Sequence, residues 1–406
     1  MVRGTRAATA VTVAGKIGLQ ADRRPSPSGA EVIERELRMA LLQIVIKVSK
    51  LCNLRCRYCY EFEQLTNSER MGQANIHRLF LNLRAAVERE KAIKRVEIIW
   101  HGGEPTLLPA TYFQEAIASQ RSVFSDSRIL VTHSVQTNLF RLTPKILDLL
   151  TGPLFQKVGV SMDVSGGLRV DIRDRDSTAR VVQNIDLLKS TRPGIGGIAV
   201  LSRDNMNDLP AIMQFYEDRG MPCRISPVYR SAYVGQNSNR AMSREQLVSA
   251  YCWLIQRWTV TKRALRCEPA NHLLATALRV IARRKLRYDS LQIRDRLLII
   301  DTDGRVYYQA DAYDSALSHG NYFEDPNSNR EGKRISNSRA ADRMHRLCSQ
   351  CEFFGPCDGF AVVEATEDER ALGTSFGGTR CPVVYPVIRF TVDLLQQRTL
   401  DNRAPV

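Results

Sequence analysis

Lys47-Val48-Ser49-Lys50-Leu51-Cys52-Asn53-Leu54-Arg55-Cys56-Arg57-Tyr58-Cys59-Tyr60-Glu61 is the stretch on which the reading of this chain turns. It puts three cysteines within eight residues, directly after an apolar run, Gln43–Val48, that reads as a strand. Three thiolates so spaced can satisfy three irons of a 4Fe-4S cube and leave the fourth without a protein ligand. A structural zinc knuckle would require a fourth ligand that the stretch does not supply.

Working outward, short apolar runs alternate with amphipathic patterns from about residue 42 to 230. The strand candidates are Gln43–Val48, Val96–Trp100, Ile129–Gln136, Val158–Met162, Gly197–Leu201 and Arg224–Val228. Between them, helical periodicity covers Asn75–Lys91, Ala110–Phe124, Pro144–Leu150, Ser177–Ser190 and Asn207–Arg219. Strand–helix repetition implies parallel strands joined by crossover helices. Six such units predict an α/β fold, a partial (β/α)6 barrel whose site is built by loops at the carboxyl ends of the strands. The three-cysteine loop follows the first strand and so falls where such a site belongs.

The expected organisation is an N-terminal extension over 1–38, read as poorly ordered, a barrel over 39–235, a helical region over 236–296 and a cysteine-rich domain over 297–406. The middle region carries helical patterns at Arg244–Trp258 and Ala270–Leu286. The last domain opens on a hairpin-like stretch, Leu297–Tyr308, with Asp303-Gly304 as its turn, and is otherwise expected to be loop-rich. A loop-rich segment would need a staple, which a metal cluster provides.

Of the 406 residues, 44% are hydrophobic and 25% charged, as in a soluble globular protein. No apolar run reaches the length of a membrane span and no secretory h-region is evident, which gives the expectation of a cytoplasmic protein without a membrane partner. Ten cysteines in such a chain argue for metal ligation or catalysis rather than disulfides. Cys223, Cys252 and Cys267 stand alone in apolar or helical contexts and read as structural. The formal charge of +15 favours an acidic partner. A basic run, Arg279 to Arg287, reads as a solvated helix face, and no aromatic-rich basic surface of an RNA-binding kind accompanies it.

Further motifs close the later strands. Trp100-His101-Gly102-Gly103-Glu104-Pro105 follows the second, Gln136-Thr137-Asn138 ends the third, Ser161-Met162-Asp163 ends the fourth, and Ser202-Arg203-Asp204-Asn205 follows the fifth. Two glycines permit close backbone approach, and a carboxylate can bind an ammonium group. With the three cysteines, and Tyr58 before the last of them, this order resembles the radical S-adenosylmethionine (AdoMet) superfamily. The resemblance covers about residues 42–390. It implies that Cys52, Cys56 and Cys59 hold the cube and that the open iron takes the amino and carboxylate groups of AdoMet. Reductive cleavage in that family gives a 5′-deoxyadenosyl radical. The same resemblance implies AdoMet contacts from Tyr58, Gly102, Gly103, Glu104, Gln136, Thr137, Asn138, Ser161, Asp163, Ser202 and Asn205. The family usually follows the aspartate with Gly-Pro, whereas this chain has Val164-Ser165-Gly166-Gly167. The arginine that trails it there corresponds to Arg169 or Arg173.

The second cysteine group, Cys348-x2-Cys351-x5-Cys357 with Cys381 beyond it, can hold either a four-iron cube or zinc. It resembles the SPASM extension of radical AdoMet maturases, which usually carries two auxiliary clusters. Here the ligand positions of the nearer cluster correspond to Gln309 and Ala361, so one auxiliary 4Fe-4S cluster is expected, for two clusters in all.

Enzymes resembling this one mostly modify ribosomally made peptides, and the barrel motifs are most similar to cyclophane-type crosslinking maturases. The resemblance therefore implies a precursor-peptide substrate, a side-chain crosslink of carbon–carbon or ether type, and an electron donor such as flavodoxin or ferredoxin. Formylglycine formation, as in anaerobic sulfatase maturation, is the alternative. Its base would follow the missing Gln309 ligand, where Ala310 stands, with Asp311 one residue later as a candidate. A cofactor-biosynthesis or RNA-modifying radical enzyme and a metal-stapled binding protein are the remaining classes. The binding protein leaves Gly102–Glu104 unexplained.

Overall fold

The computed structural model describes residues 41–228, 240–261, 265–284, 297–307, 318–327, 351–357 and 381–401. Six parallel strands come in sequence order: β1 (Leu41–Lys47), β2 (Arg95–His101), β3 (Leu130–Thr137), β4 (Lys157–Ser161), β5 (Ile195–Leu201) and β6 (Cys223–Pro227). The crossovers are helices α1 (Gln73–Arg89), α2 (Ala110–Val123), α3 (Pro144–Thr151), α4 (Thr178–Thr191) and α5 (Leu209–Asp218). Their bounds fall close to those expected from periodicity.

β1, β4 and β5 alternate in burial because one face meets the helices. In β1, Leu42, Ile44 and Ile46 are buried, as are Val96, Ile98 and Trp100 of β2. They share one core with Ile76, Leu79, Phe80 and Leu83 of α1. Trp100 packs edge-on against Phe80 and Phe113, at 6.4 and 5.8 Å between centroids. Truncating so large a buried ring would cost about 3–5 kcal/mol.

The sheet does not stop at six strands. β7 (Cys267–Glu268) adds in parallel to β6, and β8 (Leu297–Ile300) adds in parallel to the free side of β1. β9 (Val306–Tyr307) returns antiparallel to β8. The order is β7-β6-β5-β4-β3-β2-β1-β8-β9, an unclosed nine-stranded sheet with β7 and β9 at its edges. The expected hairpin is therefore present, and its turn is tight: Gly304 has φ +86° and its N–H donates to Asp301 O at 2.9 Å.

α6 (Arg244–Val260) starts with a capping box between Ser243 and Gln246, and α7 (Ala270–Ile281) follows β7. Within the C-terminal region expected to be loop-rich, one helix is described. α8 (Val384–Asp401) is a long helix that packs on α7 and α6. Val384, Val387, Ile388, Val392 and Leu395 form its buried stripe. Pro386 disguises that stripe in the sequence, but the first turn of a helix tolerates proline because its N–H has no intrahelical partner. The expected extension over 1–38 lies outside the described residues. Among the described residues, no helix is long and apolar enough to cross a membrane.

Candidate functional site

The motifs singled out in the sequence meet at the carboxyl ends of β1 to β5. The loop after β1 carries Cys52, Cys56 and Cys59, which pack together with Leu54, Leu65 and Phe140. Burial pushes all three thiols up, Cys59 to about 12, and each of Cys52 and Cys59 is pushed further by the charge of its neighbouring cysteines. Such thiols ligate only as thiolates, so a metal must displace their protons. Among the described residues no three Cys, His, Asp or Glu side chains converge as they would on one ion. Three sulfurs bound to three separate corners of a cube need not converge. Three thiols packed together in one loop are the donor set of an iron–sulfur cube with one open corner.

The loop is held from β2. Gly103 N–H donates to Ser49 O and Glu104 N–H to Leu51 O, both at 2.9 Å. A Cβ on Gly102, where φ is +136°, would lie 2.2 Å from Ser49 O, and one on Gly103 would lie 2.3 Å from Lys50 O. The close approach that these glycines permit is thus made to the backbone entering the cysteine loop. No other residue type would fit there.

The Glu104 carboxylate is buried and amply bonded. Its Oε1 accepts from Thr106 N–H (2.9 Å), Thr106 Oγ1 (2.6 Å) and Thr137 Oγ1 (2.8 Å), and Oε2 accepts from Asn138 N–H at 2.6 Å. Burial raises its pKa, and these bonds oppose the shift. Oε2 retains a lone pair for an ammonium donor. Asn138 links β3 to the loop in turn: its Nδ2 donates to Asn53 Oδ1 (2.9 Å) and lies 3.6 Å from Cys52 Sγ. Gln136 Nε2 donates to Ser161 Oγ at 2.9 Å, tying β3 to β4.

Beyond β4, Tyr58 O–H donates to Asp163 Oδ1 at 2.7 Å and accepts from Arg169 Nη1 at 3.1 Å. All three side chains are buried. Arg173, by contrast, is exposed. Asp163 Oδ2 and Arg169 Nε and Nη2 are buried without a partner. Unsatisfied buried groups of this kind cost about 1–3 kcal/mol each, more when charged, and call for a ligand that complements them. A carboxylate beside Arg169 and a donor beside Asp163 would do so, which an α-amino acid bearing a ribose supplies. The position after Asp163 is also telling. Val164 sits at φ +65°. That is where related chains are expected to carry glycine, and where a β-branched residue is strained.

Ser202 and Asn205 are fully buried, but their side chains serve a turn. Asn205 Oδ1 accepts from Ser202 N–H (2.7 Å) and Oγ (3.0 Å), and its Nδ2 donates to Val200 O at 2.9 Å.

In the second cysteine group, Cys351, Cys357 and Cys381 are half-buried against the main core. The 351–357 loop is anchored by Phe353, which packs on Tyr385 of α8 at 5.0 Å, and by Arg279 of α7, whose Nε donates to Pro356 O at 2.8 Å. Cys348, Gln309, Ala310, Asp311 and Ala361 lie outside the described residues. Sequence reasoning missed Lys47 and Glu61, a buried pair beside the first cysteine loop. The only available signal was a lysine closing an otherwise apolar strand.

Residues 46–216 match the model of the Radical SAM superfamily. They form a radical SAM domain. The chain is 28% identical over 145 residues to the serine-type anaerobic sulfatase-maturating enzyme of Klebsiella aerogenes, a match covering 35% of each chain. It thus spans about a third of the length of that relative. Among solved structures, native anSMEcpe with bound AdoMet and Cp18Cys peptide superposes with a TM-score of 0.67 at 16% identity, covering 89% of this chain and 98% of the other. Streptococcus suis SuiB bound to S-adenosylmethionine gives 0.54 at 14% identity, over 87% and 83% of the two chains. At such identities these likenesses establish the fold. A radical SAM domain implies one 4Fe-4S cluster and AdoMet.

Proposed function

We propose that this chain is a radical AdoMet enzyme that modifies a ribosomally made peptide by forming a side-chain crosslink. When bound, the cluster and AdoMet would supply the radical chemistry that removes a hydrogen atom from a substrate carbon. The protein's own part is to bind and orient. Cys52, Cys56 and Cys59 hold three irons. Glu104 Oε2, held beside the Gly102–Gly103 strap, would accept the amino group of AdoMet. Arg169 would hold its carboxylate, and Asp163, Tyr58 and the Gln136–Ser161 pair would bind its nucleoside. Cys348, Cys351, Cys357 and Cys381 would hold a second cube with no open corner.

The observation that carries the AdoMet-binding part of this reading is the set of unpartnered buried donors on Arg169 beside the unpartnered Asp163 oxygen. The test is anaerobic reconstitution and reduction with dithionite. Wild type is expected to release 5′-deoxyadenosine and the Cys56→Ala variant to release none. Release from the variant would remove Cys56 from the site.

The peptide assignment is supported by the likeness to a sulfatase-maturating enzyme and by the fold shared with SuiB. The former favours a second reading, formylglycine formation, with Asp311 as the candidate base. Both a crosslink and the oxidation of serine remove two hydrogens, so mass alone does not separate them. An aldehyde-reactive hydrazide labels only the formylglycine product. A low-potential donor such as flavodoxin or ferredoxin would supply the electron.

A further inference from the structure

Lys47 ends β1 immediately before the cysteine loop, yet it is only 1% exposed. An ammonium in such a place costs several kcal/mol unless it is paired. Its Nζ donates to the Glu61 carboxylate, itself buried, and stands 5.3 Å above the Tyr60 ring. The lysine thus clasps Tyr60 and Glu61, the two residues that follow Cys59. Burial lowers its pKa well below the usual value, while Asp301 in the β8–β9 turn and Cys59 both favour the ammonium and Lys50 opposes it. The neighbour of Lys47 in register on β2 is His101, whose Nδ1 accepts the Gly102 N–H at 2.8 Å.

A buried ion pair is a poor device for stability, since well-packed apolar residues do as well or better. Placed beside a ligand loop it has another use. Reduction adds one electron to a cluster, and a fixed buried cation favours the more negative state. We propose that Lys47 and Glu61 are a positioning pair for the cluster: Lys47, clasping the Tyr60–Glu61 segment that follows Cys59, raises its reduction potential, and Glu61 holds the ammonium in place and attenuates its field. This rests on the reading of Cys52, Cys56 and Cys59 as cluster ligands.

The test is a redox titration of the reconstituted full-length protein, followed by the part of its reduced electron paramagnetic resonance signal that AdoMet alters. Glu61→Gln is expected to move the midpoint upward and Lys47→Met downward, whereas Lys47→Arg stays near wild type. Unchanged midpoints, or shifts of the same sign in the first two variants, overturn the proposal. If Lys47→Met takes up less iron, the nearly isosteric Glu61→Gln decides alone: an upward shift supports the pair, and no shift or a downward one ends it. A wild type with no reducible, AdoMet-sensitive cluster is a different result, and it removes the ligand assignment itself.

Discussion

Arg169 reaches back over the Val164–Gly167 turn to lie 3.6 Å from Asp163, with Tyr58 hydrogen-bonded to both. A tyrosine between Cys56 and Cys59 is thereby joined to the end of β4. Burial works against ionising Asp163, and Arg169 is the largest influence opposing it. The pair leaves one carboxylate oxygen and two guanidinium nitrogens for a ligand.

Arg169→Ala should therefore weaken AdoMet binding about 10- to 100-fold, the range of a charge-assisted bond worth roughly 1.5–3 kcal/mol. Arg173→Ala, on an exposed side chain, should leave it near wild type. Equilibrium dialysis of the reconstituted protein measures both; equal effects would dissolve the assignment.

Gly102→Ala should destabilise the fold by about 3 kcal/mol or more, because the new Cβ meets backbone rather than a movable side chain. Gly103→Ala should behave alike. Iron uptake is expected to fall with urea stability in both, since the strap they disrupt holds the cysteine loop.

His133 predicts an acid limb in stability. It stacks on Trp100, accepts from Trp100 Nε1 at 3.3 Å through Nδ1 and meets Gln120 Oε1 at 3.0 Å through Nε2. Burial pushes its pKa from 6.5 down to about 4. The folded state prefers the neutral ring. Its contribution is complete above about pH 6.5 and is lost as pH falls toward 4, at most about 3 kcal/mol. Urea unfolding at pH 7.5 and pH 5 should show the loss, and His133→Gln should remove its share while leaving that of His101, which burial likewise pushes down to about 4.

Anaerobic reconstitution should load about eight irons, the content of two four-iron cubes. Cys381→Ser should lower the count by about four without abolishing 5′-deoxyadenosine release. A wild-type count near four would leave the second group to zinc or to no metal.

Most of the barrel was legible in the sequence because its signals are local. Alternating burial in β1, β4 and β5, amphipathic spacing in α1 to α5 and the cysteine, Gly-Gly-Glu and Gln-Thr-Asn motifs all lie within a few residues of one another. α8 was not legible, because Pro386 interrupts its apolar stripe and its partners α6 and α7 come more than a hundred residues earlier.

By itself, the sequence determined the order of the six barrel strands and their crossover helices and the place of the three-thiol loop after the first strand, since periodicity and residue spacing are properties of neighbouring residues. Tertiary structure alone decided that Arg169 rather than Arg173 faces Asp163, that β8 pairs with β1, and that Gly102 and Gly103 yield to the backbone of Ser49 and Lys50. It also decided that Lys47 is buried against Glu61. Each of these depends on which distant segments are brought into contact, and on the cost of leaving charge or backbone unpaired once water is gone.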